Sequence, residues 1–496
     1  MVCGTTSDAG KSHVVTGLCR LLARRGVKVA PFKAQNMALN SFVTPSGHEI
    51  GRAQGVQALA AGVEPEVAMN PVLLKPTGER TSQVVVNGRP LAHMTARQYH
   101  ERKPELLGLV LEALADLRSR FDVVLVEGAG SPAEINLLDH DIVNLRVAAE
   151  ASLPAVVVGD IDRGGVFAAL YGTVALLPEH LRRLVRGFVV NKFRGDPTLL
   201  GEGLRDLEAR CGVPTLGVLP FVHDVALDAE DSLALAGRRP RADRLALGDP
   251  LDVAAVHLPR LSNFTDLDAL AIEPGVGVRL VDSPAALGRP DLVILPGTKA
   301  TVADLEWLRG RGLDRAMAAC RAGGTFVLGI CGGYQMLGNT IVDHVESGRG
   351  RVPGLGWLDV ETVFGADKVT RQRRGTALGR RVSGYEIHHG RTTPGPAATA
   401  WVHLDDVHGR HDAGARATGR TGGGVAGTTL HGLFEEDGFR AAFLTDIGRR
   451  RGKAFVPAGV SFHAARQAQF DRLADLLDAH LDMAALEAIL AEGAPR

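Results

Sequence analysis

Neither sign of charge is in excess: Lys and Arg together number 56, as do Asp and Glu, so the formal net charge is zero. That balance leaves no electrostatic footprint for nucleic acid or anionic lipid, and neither partner is expected. Long apolar runs are missing too. No stretch reaches the ~18 uninterrupted apolar residues of a membrane helix, so no membrane association is expected. The start runs straight into a polar, glycine-rich loop, and no signal peptide is expected. Cysteine is scarce and odd in number: Cys3, Cys19, Cys211, Cys320 and Cys331 are the five in 496 residues. Their spacing matches neither a disulfide framework nor a zinc site, and a reducing, cytoplasmic setting fits best. No internal repeat is visible. What is left is a long chain of ordinary apolar content. Domains usually hold ~100–200 residues, so two or three are expected.

Short β-branched runs end in Gly or an acidic residue and are followed by helical patterns. Phe121 to Val126, Ala155 to Val158 and Gly187 to Val190 read as buried strands of this kind. Continuous apolar strands separated by helices imply a parallel sheet covered on both faces. Function in such folds gathers at the C-terminal ends of the strands. A Gly-, Pro- and Arg-rich break at 237–250 reads as a linker. A second series follows, with strands expected at Asp252–Leu258, Val278–Val281, Leu292–Leu295 and Thr325–Ile330. The Arg- and Gly-rich stretch Gly365–Gly384 reads as a mobile loop. Ser461–Leu490, with Leu and Ala at three-to-four spacing, reads as a helical tail. The expected organisation is an ATP-binding domain over 1–236, a linker over 237–250, a second domain over 251–448 and a tail over 449–496.

The strongest local signal in the first half is Gly4-Thr5-Thr6-Ser7-Asp8-Ala9-Gly10-Lys11-Ser12. Small residues ending in Gly-Lys-Ser let backbone N–H groups approach phosphate oxygens, and the following helix adds its positive end. Gly10 shapes the loop, Lys11 would neutralise phosphate charge, and Ser12 would ligate Mg²⁺. The first Gly lies one residue further from Lys11 than the usual spacing. Only Met1-Val2-Cys3 precede the loop, whereas strands usually hold ~5–6 residues. Either the first strand is very short or the numbered start lies inside the natural protein. Glu127 ends an apolar strand at Val126-Glu127-Gly128-Ala129-Gly130, where a carboxylate suits Mg²⁺ or its water, or else forms an N-cap or a salt bridge. Asn191 closes a later strand, as a reader of the nucleotide base or as a plain strand-end turn. Lys33, in Pro31-Phe32-Lys33-Ala34-Gln35-Asn36, ends the second strand, where it would touch a γ-phosphate or acyl phosphate, or else lie in solvent.

The second half centres on Thr325-Phe326-Val327-Leu328-Gly329-Ile330-Cys331-Gly332-Gly333-Tyr334. An apolar strand runs into Gly-x-Cys-Gly-Gly and then a helix, the pattern of a nucleophile elbow. A thiol at a helix N-terminus is favoured as the reactive thiolate. The N–H groups beside it, Gly332 among them, and that of Gly297 in Leu295-Pro296-Gly297-Thr298-Lys299 suit an oxyanion. A Cys nucleophile needs a base, usually His. Of 17 histidines, His431 stands out, following a short apolar strand in Gly427-Thr428-Thr429-Leu430-His431-Gly432-Leu433-Phe434-Glu435. His388 and His389, in Tyr385-Glu386-Ile387-His388-His389-Gly390-Arg391, are weaker candidates for the base and would otherwise line the substrate pocket.

These motifs carry a resemblance. GTTSDAGKS at 4–12, PFKAQNMALNS at 31–41, GRAQ at 51–54, MNPVLLKP at 69–76, VEGAGSPAEINL at 126–137 and NKFRGD at 191–196 resemble the N-terminal half of the cobyric acid synthases. LPGTK at 295–299, GICGGYQMLG at 329–338, YEIHHGRT at 385–392 and TLHGLFE at 429–435 resemble the other half. The resemblance spans nearly the whole chain. It implies an α/β fold of two doubly wound domains: an N-terminal phosphate-loop ATPase similar to dethiobiotin synthetase, and a C-terminal class I-like glutamine amidotransferase. It implies Cys331 and His431 as the glutaminase dyad. The usual acidic third member, two residues after the His, is here Leu433, with Glu435 further on, so the orienter of His431 is unassigned.

Membership would imply ATP- and glutamine-dependent amidation of four carboxylates of adenosylcobyrinic acid a,c-diamide, in cobalamin biosynthesis. The nearest alternative is cobyrinic acid a,c-diamide synthase, which shares both domain types. ATP, Mg²⁺, glutamine and a corrinoid are the expected small-molecule partners, and an oligomer is compatible with the sequence. A partitioning-type nucleotide switch resembles the first half only and has no need of Cys331 or His431. Membrane-binding tails of such switches are rich in Lys and Arg. Here Phe470 to Leu490 carries Asp471, Asp475, Asp478, Asp482 and Glu487 against Arg472.

Overall fold

The structure, a computed structural model, describes residues 1–78, 80–222, 248–406, 409–417 and 424–493. The chain forms two compact units, and these are not its successive halves. One comprises Met1–Ala38, His48–Ala226 and Arg466–Arg496; the other comprises Leu39–Gly47 and Leu227–Ala465. A short piece from within the first 236 residues is thus built into the second unit, and most of the tail belongs to the first. The linker expected at 237–250 lies, up to residue 247, outside the described residues.

In the P-loop unit, Val2–Gly4, Ala155–Asp160, Val185–Phe193 and Thr215–Pro220 form a parallel sheet in that order. Val29–Phe32 pairs with Val123–Val126, and a single parallel bridge between Val2 and Glu127 joins this pair to the sheet. The central strands are the continuous apolar runs of the sequence, as burial on both faces requires. The helix Lys11–Arg24 follows the first strand because Val14, Val15, Leu18, Leu21 and Leu22 recur on one side and are buried. A smaller sheet orders Gln35–Met37, Val72–Pro76, Thr81–Val86 and Arg89–Thr95.

The tail is two helices, Phe462–His480 and Met483–Glu492. Phe470, Ala474, Leu477, Leu481, Leu486 and Ile489 share one core with Val14, Leu18, Leu21 and Leu22 of the P-loop helix. Gly17 makes the approach possible: a Cβ there would stand 2.6 Å from the Leu477 side chain and 3.0 Å from the Leu473 carbonyl. The acidic face of the tail meets the basic face of that helix. Asp471 pairs with Arg20 at 2.8 Å, Asp475 with Arg24 at 2.6 Å and Asp478 with Arg25 at 2.6 Å. No described helix is long and apolar enough to cross a membrane.

In the other unit, Val276–Val281, Leu251–Val256, Leu292–Leu295, Phe326–Ile330 and Val425–Thr428 form the parallel part of one large sheet. Antiparallel strands extend it. The stretch Gly365–Gly384 is not a loop. It belongs to the hairpin of Val360–Ala377 and Arg380–Pro394, turned at Leu378 (φ 50°) and Gly379 (φ 68°). One of its arginines is a buried cross-strand partner: Arg373 Nε donates to Glu386 at 2.9 Å, with both side chains buried, while Arg371, Arg374, Arg380 and Arg381 are exposed.

Candidate active sites

At the phosphate loop, Gly10 turns the chain into its helix at φ 99°. A Cβ at Gly10 would lie 2.0 Å from Asn191 Nδ2. That amide donates to the Ala9 carbonyl at 2.9 Å, so Asn191 braces the loop from the strand Val185–Phe193, two along in the sheet. Lys11 Nζ donates to the Thr6 and Gly130 carbonyls at 3.0 and 3.2 Å. Burial pulls its pKa below the ordinary lysine value, although the Glu127 charge opposes this. Ser12 Oγ and Lys33 Nζ both donate to Glu127 Oε1 at 2.9 Å. Gln57 donates to the other carboxylate oxygen. Burial alone would raise the Glu127 pKa, but the Lys33 charge and these hydrogen bonds outweigh it and hold the group ionised. The four sequence-expected residues Lys11, Ser12, Lys33 and Glu127 therefore converge.

Ser12 and Glu127 present two hard oxygen donors side by side at the phosphate loop. Mg²⁺ is usually held by one or two such protein ligands, with phosphate oxygens and water completing the shell. No cluster of three or more His, Cys, Asp or Glu suited to a metal occurs among the described residues. The Ser12 and Glu127 oxygens fit a Mg²⁺ shared with phosphate.

In the other unit, Cys331 sits at φ 51°, ψ −110°, between the strand Phe326–Ile330 and the helix Gly332–Leu337. A non-glycine residue held there is strained unless its surroundings enforce it. The flanking glycines do so. A Cβ on Gly333 would fall 1.8 Å from the Leu295 carbonyl, and one on Gly332 would fall 2.7 Å from the Thr298 methyl. Gly297 lies equally close to the base: a Cβ there would stand 2.8 Å from His431 Cε1. Cys331 Sγ meets the Ile387 carbonyl at 3.9 Å, on the strand that also carries His388 and His389. His389 is buried, which pushes its pKa down to about 4.

His431 is fully buried. Its Nδ1 lies 2.8 Å from Asp266 Oδ2, and its ring stacks on Tyr385 at 5.3 Å between centroids. Its Nε2 is buried without a hydrogen-bond partner among the described residues. Burial would lower the pKa of the ring, but the Asp266 carboxylate and then Cys331 act against burial and push it up to about 10. A buried Cys, a buried His and an Asp that fixes the ring are the groups that a nucleophile, a base and an orienter require.

Residues 1–234 match the CobQ/CobB/MinD/ParA nucleotide binding domain, and residues 252–439 match the CobB/CobQ-like glutamine amidotransferase domain. A cobyric acid synthase from Rhodococcus jostii (strain RHA1) is 55% identical over 500 residues, covering 100% of this chain and 96% of that protein. One from Streptomyces avermitilis is 54% identical over 503 residues, covering 100% and 97%. The chain belongs to the cobyric acid synthase family. The expected fold holds: a phosphate-loop nucleotide-binding domain and a glutamine amidotransferase domain. A partitioning-type switch accounts for the first of these only.

In this family member, two site residues escape local reading. Asp266 opens the short helix Asp266–Ala271 after the strand Leu251–Val256, and no motif marks it. The rule that function gathers at strand C-terminal ends would have directed attention to that loop. Gln57 lies just past the GRAQ stretch and reaches Glu127 from the next helix. Leu433, the position of the usual acidic member, is buried in the core instead.

Proposed function

We propose that this chain amidates the b, d, e and g side-chain carboxylates of adenosylcobyrinic acid a,c-diamide to give adenosylcobyric acid. Each amidation consumes one ATP and one glutamine. The full-length similarity to cobyric acid synthases carries this reading, since it covers 100% of the chain. The five cysteines are free, which suits the cytoplasm.

A carboxylate resists nucleophiles because of its charge. Transfer of the ATP γ-phosphoryl to one of its oxygens makes an acyl phosphate and releases ADP. The loop amides, Gly10 and Lys11 would hold the phosphates, and Lys33, already against Glu127, would neutralise charge on the transferred group. Ser12 and Glu127 would hold Mg²⁺, which when bound offsets phosphate charge. Asn191 keeps the loop in shape.

In the other unit, the Cys331 thiolate attacks the glutamine side-chain carbonyl. The backbone N–H groups at Gly297 and Gly332 would receive the oxyanion. His431 gives its proton to the departing ammonia. It then takes a proton from the water that hydrolyses the thioester and releases glutamate. Ammonia displaces phosphate from the acyl phosphate and leaves the amide.

The test is mass spectrometry of the corrinoid after incubation with cobyrinic acid a,c-diamide, ATP, Mg²⁺ and glutamine. Four successive acid-to-amide steps are expected. The Cys331→Ala variant should lose them with glutamine and recover them with ammonium salt. ATP turnover without any mass change would sink the corrinoid assignment. Amidation of the a and c positions of cobyrinic acid would point to cobyrinic acid a,c-diamide synthase.

A further inference from the structure

The piece Leu39–Gly47 belongs to the amidotransferase unit, while the chain up to Ala38 and from His48 belongs to the P-loop unit. Within the amidotransferase unit a reciprocal pair clamps it. Asn263 Oδ1 accepts from the Ser41 N–H at 2.9 Å, and Asn40 Oδ1 accepts from the Phe264 N–H at 3.3 Å. Asn40 and Ser41 are 0% exposed and Asn263 4%. Asn263 sits at φ 53°, a left-handed conformation that persists where the surroundings enforce it. The chain then turns directly into the helix of Asp266: Leu267 N–H donates to the Phe264 carbonyl at 2.9 Å, and Asp268 N–H to the Thr265 carbonyl at 3.0 Å. The conformation at Asn263 therefore sets where the Asp266 carboxylate stands.

A second arm leads to the same histidine through Tyr385. Val43 forms a buried cluster with Tyr385 and Ile387. The Tyr385 ring stacks on His431 with 20° between the planes, and Ile387 presents its carbonyl to Cys331. The Val43 carbonyl is itself fixed, accepting from Gln372 Nε2 at 2.9 Å.

We propose that Leu39–Gly47 is a positioning strap for the glutaminase centre. Asn40 and Asn263 fix Asp266, Val43 backs Tyr385, and the two arms together hold His431 in register with Cys331. The glutaminase is then incomplete without a segment that the chain supplies from within its ATP-binding sequence. The proposal rests on the reading of Cys331 and His431 as the dyad.

The test uses the full chain. Asn263→Gly keeps the tolerance for positive φ but removes the acceptor; Asn263→Asp keeps both; Asn40→Ala removes the second acceptor. A displacement of about 1 Å in a catalytic constellation costs on the order of 100-fold. Accordingly, Asn263→Gly and Asn40→Ala should lower kcat for glutamine hydrolysis by roughly 10- to 100-fold, with KM for glutamine nearly unchanged. Amidation driven by ammonium salt should stay at the wild-type rate, and Asn263→Asp should recover most of the loss. Should Asn263→Gly not fold, Val43→Ala tests the other arm by the same kcat-against-KM readout. Wild-type kcat in these variants, or a parallel fall in ammonia-driven amidation, would overturn the strap. Glutamine hydrolysis that survives Cys331→Ala would overturn the dyad itself, and the strap with it.

Discussion

His431 and Asp266 stand 2.8 Å apart although 165 residues separate them, and the second Asp266 oxygen accepts from the N–H of Gly432. Both carboxylate oxygens are thus committed as acceptors, one from the ring Nδ1–H and one from the Gly432 N–H, which fixes the ring and leaves Nε2 as its uncommitted nitrogen. Replacing Asp266 by Ala should cut kcat for glutamine hydrolysis by about 10⁴, the magnitude for loss of an orienting carboxylate. Ammonia-driven amidation should be unaffected, and steady-state assays with the two nitrogen sources separate these effects.

The same pair makes a pH prediction. The folded pKa of His431, about 10, lies above the ordinary 6.5. A group raised on folding contributes stability that is fully present below pH 6.5 and is lost as pH rises through about 10. Calorimetric melting across that window should show the wild type losing more stability than Asp266→Ala. Parallel curves would sink the coupling between the two residues.

Glu127→Gln should disable carboxylate activation whatever the nitrogen source, while leaving glutamine hydrolysis at Cys331 in place. It removes the charge facing Lys33, whose ammonium is buried at 2.9 Å from it. Breaking one side of a buried ion pair typically costs ~3–5 kcal/mol, so a lowered melting temperature should accompany the loss of ATP-dependent amidation.

At the elbow, Gly333→Ala would drive a methyl into the Leu295 carbonyl, 1.8 Å away. Backbone cannot yield as a side chain can, so the penalty should be at least the ~1–3 kcal/mol of ordinary overpacking. The expected result is loss of glutamine hydrolysis and of Cys331 alkylation at the wild-type rate, both measurable on the purified variant.

For the tail, Leu477→Ala should destabilise the P-loop unit by ~2–5 kcal/mol, since it empties a fully enclosed contact beside Gly17. Asp475→Ala should leave melting unchanged, because exposed ion pairs contribute little. A large effect of the second and none of the first would reverse the view that apolar packing, not charge, seats the tail.

Lys11, Ser12 and Cys331 were legible because their chemistry is written in contiguous residues: a loop must be small where phosphate approaches, and an elbow must be glycine where backbone crowds. Lys33 and Glu127 were legible as strand ends. Asp266, Gln57 and Asn263 were not, because each earns its role from a partner far along the chain, and one sequence carries no record of such pairings. The hairpin at 365–384 was misread for a related reason. Arg- and Gly-rich composition usually means solvent, and it is the cross-strand Glu386 and the Asp405 carbonyl that give Arg373 a reason to be inside.

The return of the last helices to the P-loop helix has a consequence for how the protein is made. At ~5–20 residues per second, ribosomes usually let N-terminal domains fold while the rest is still being synthesised. Here the first strand and P-loop helix precede by more than 400 residues the side chains that complete their core, Phe470, Leu477, Leu486 and Ile489. The nucleotide-binding unit must therefore stay unfinished, with the apolar side of its P-loop helix uncovered, until those residues have been synthesised. Nascent chains stalled before residue 466 should accordingly recruit holdase chaperones, and the dependence should vanish once the helices Phe462–His480 and Met483–Glu492 clear the exit tunnel.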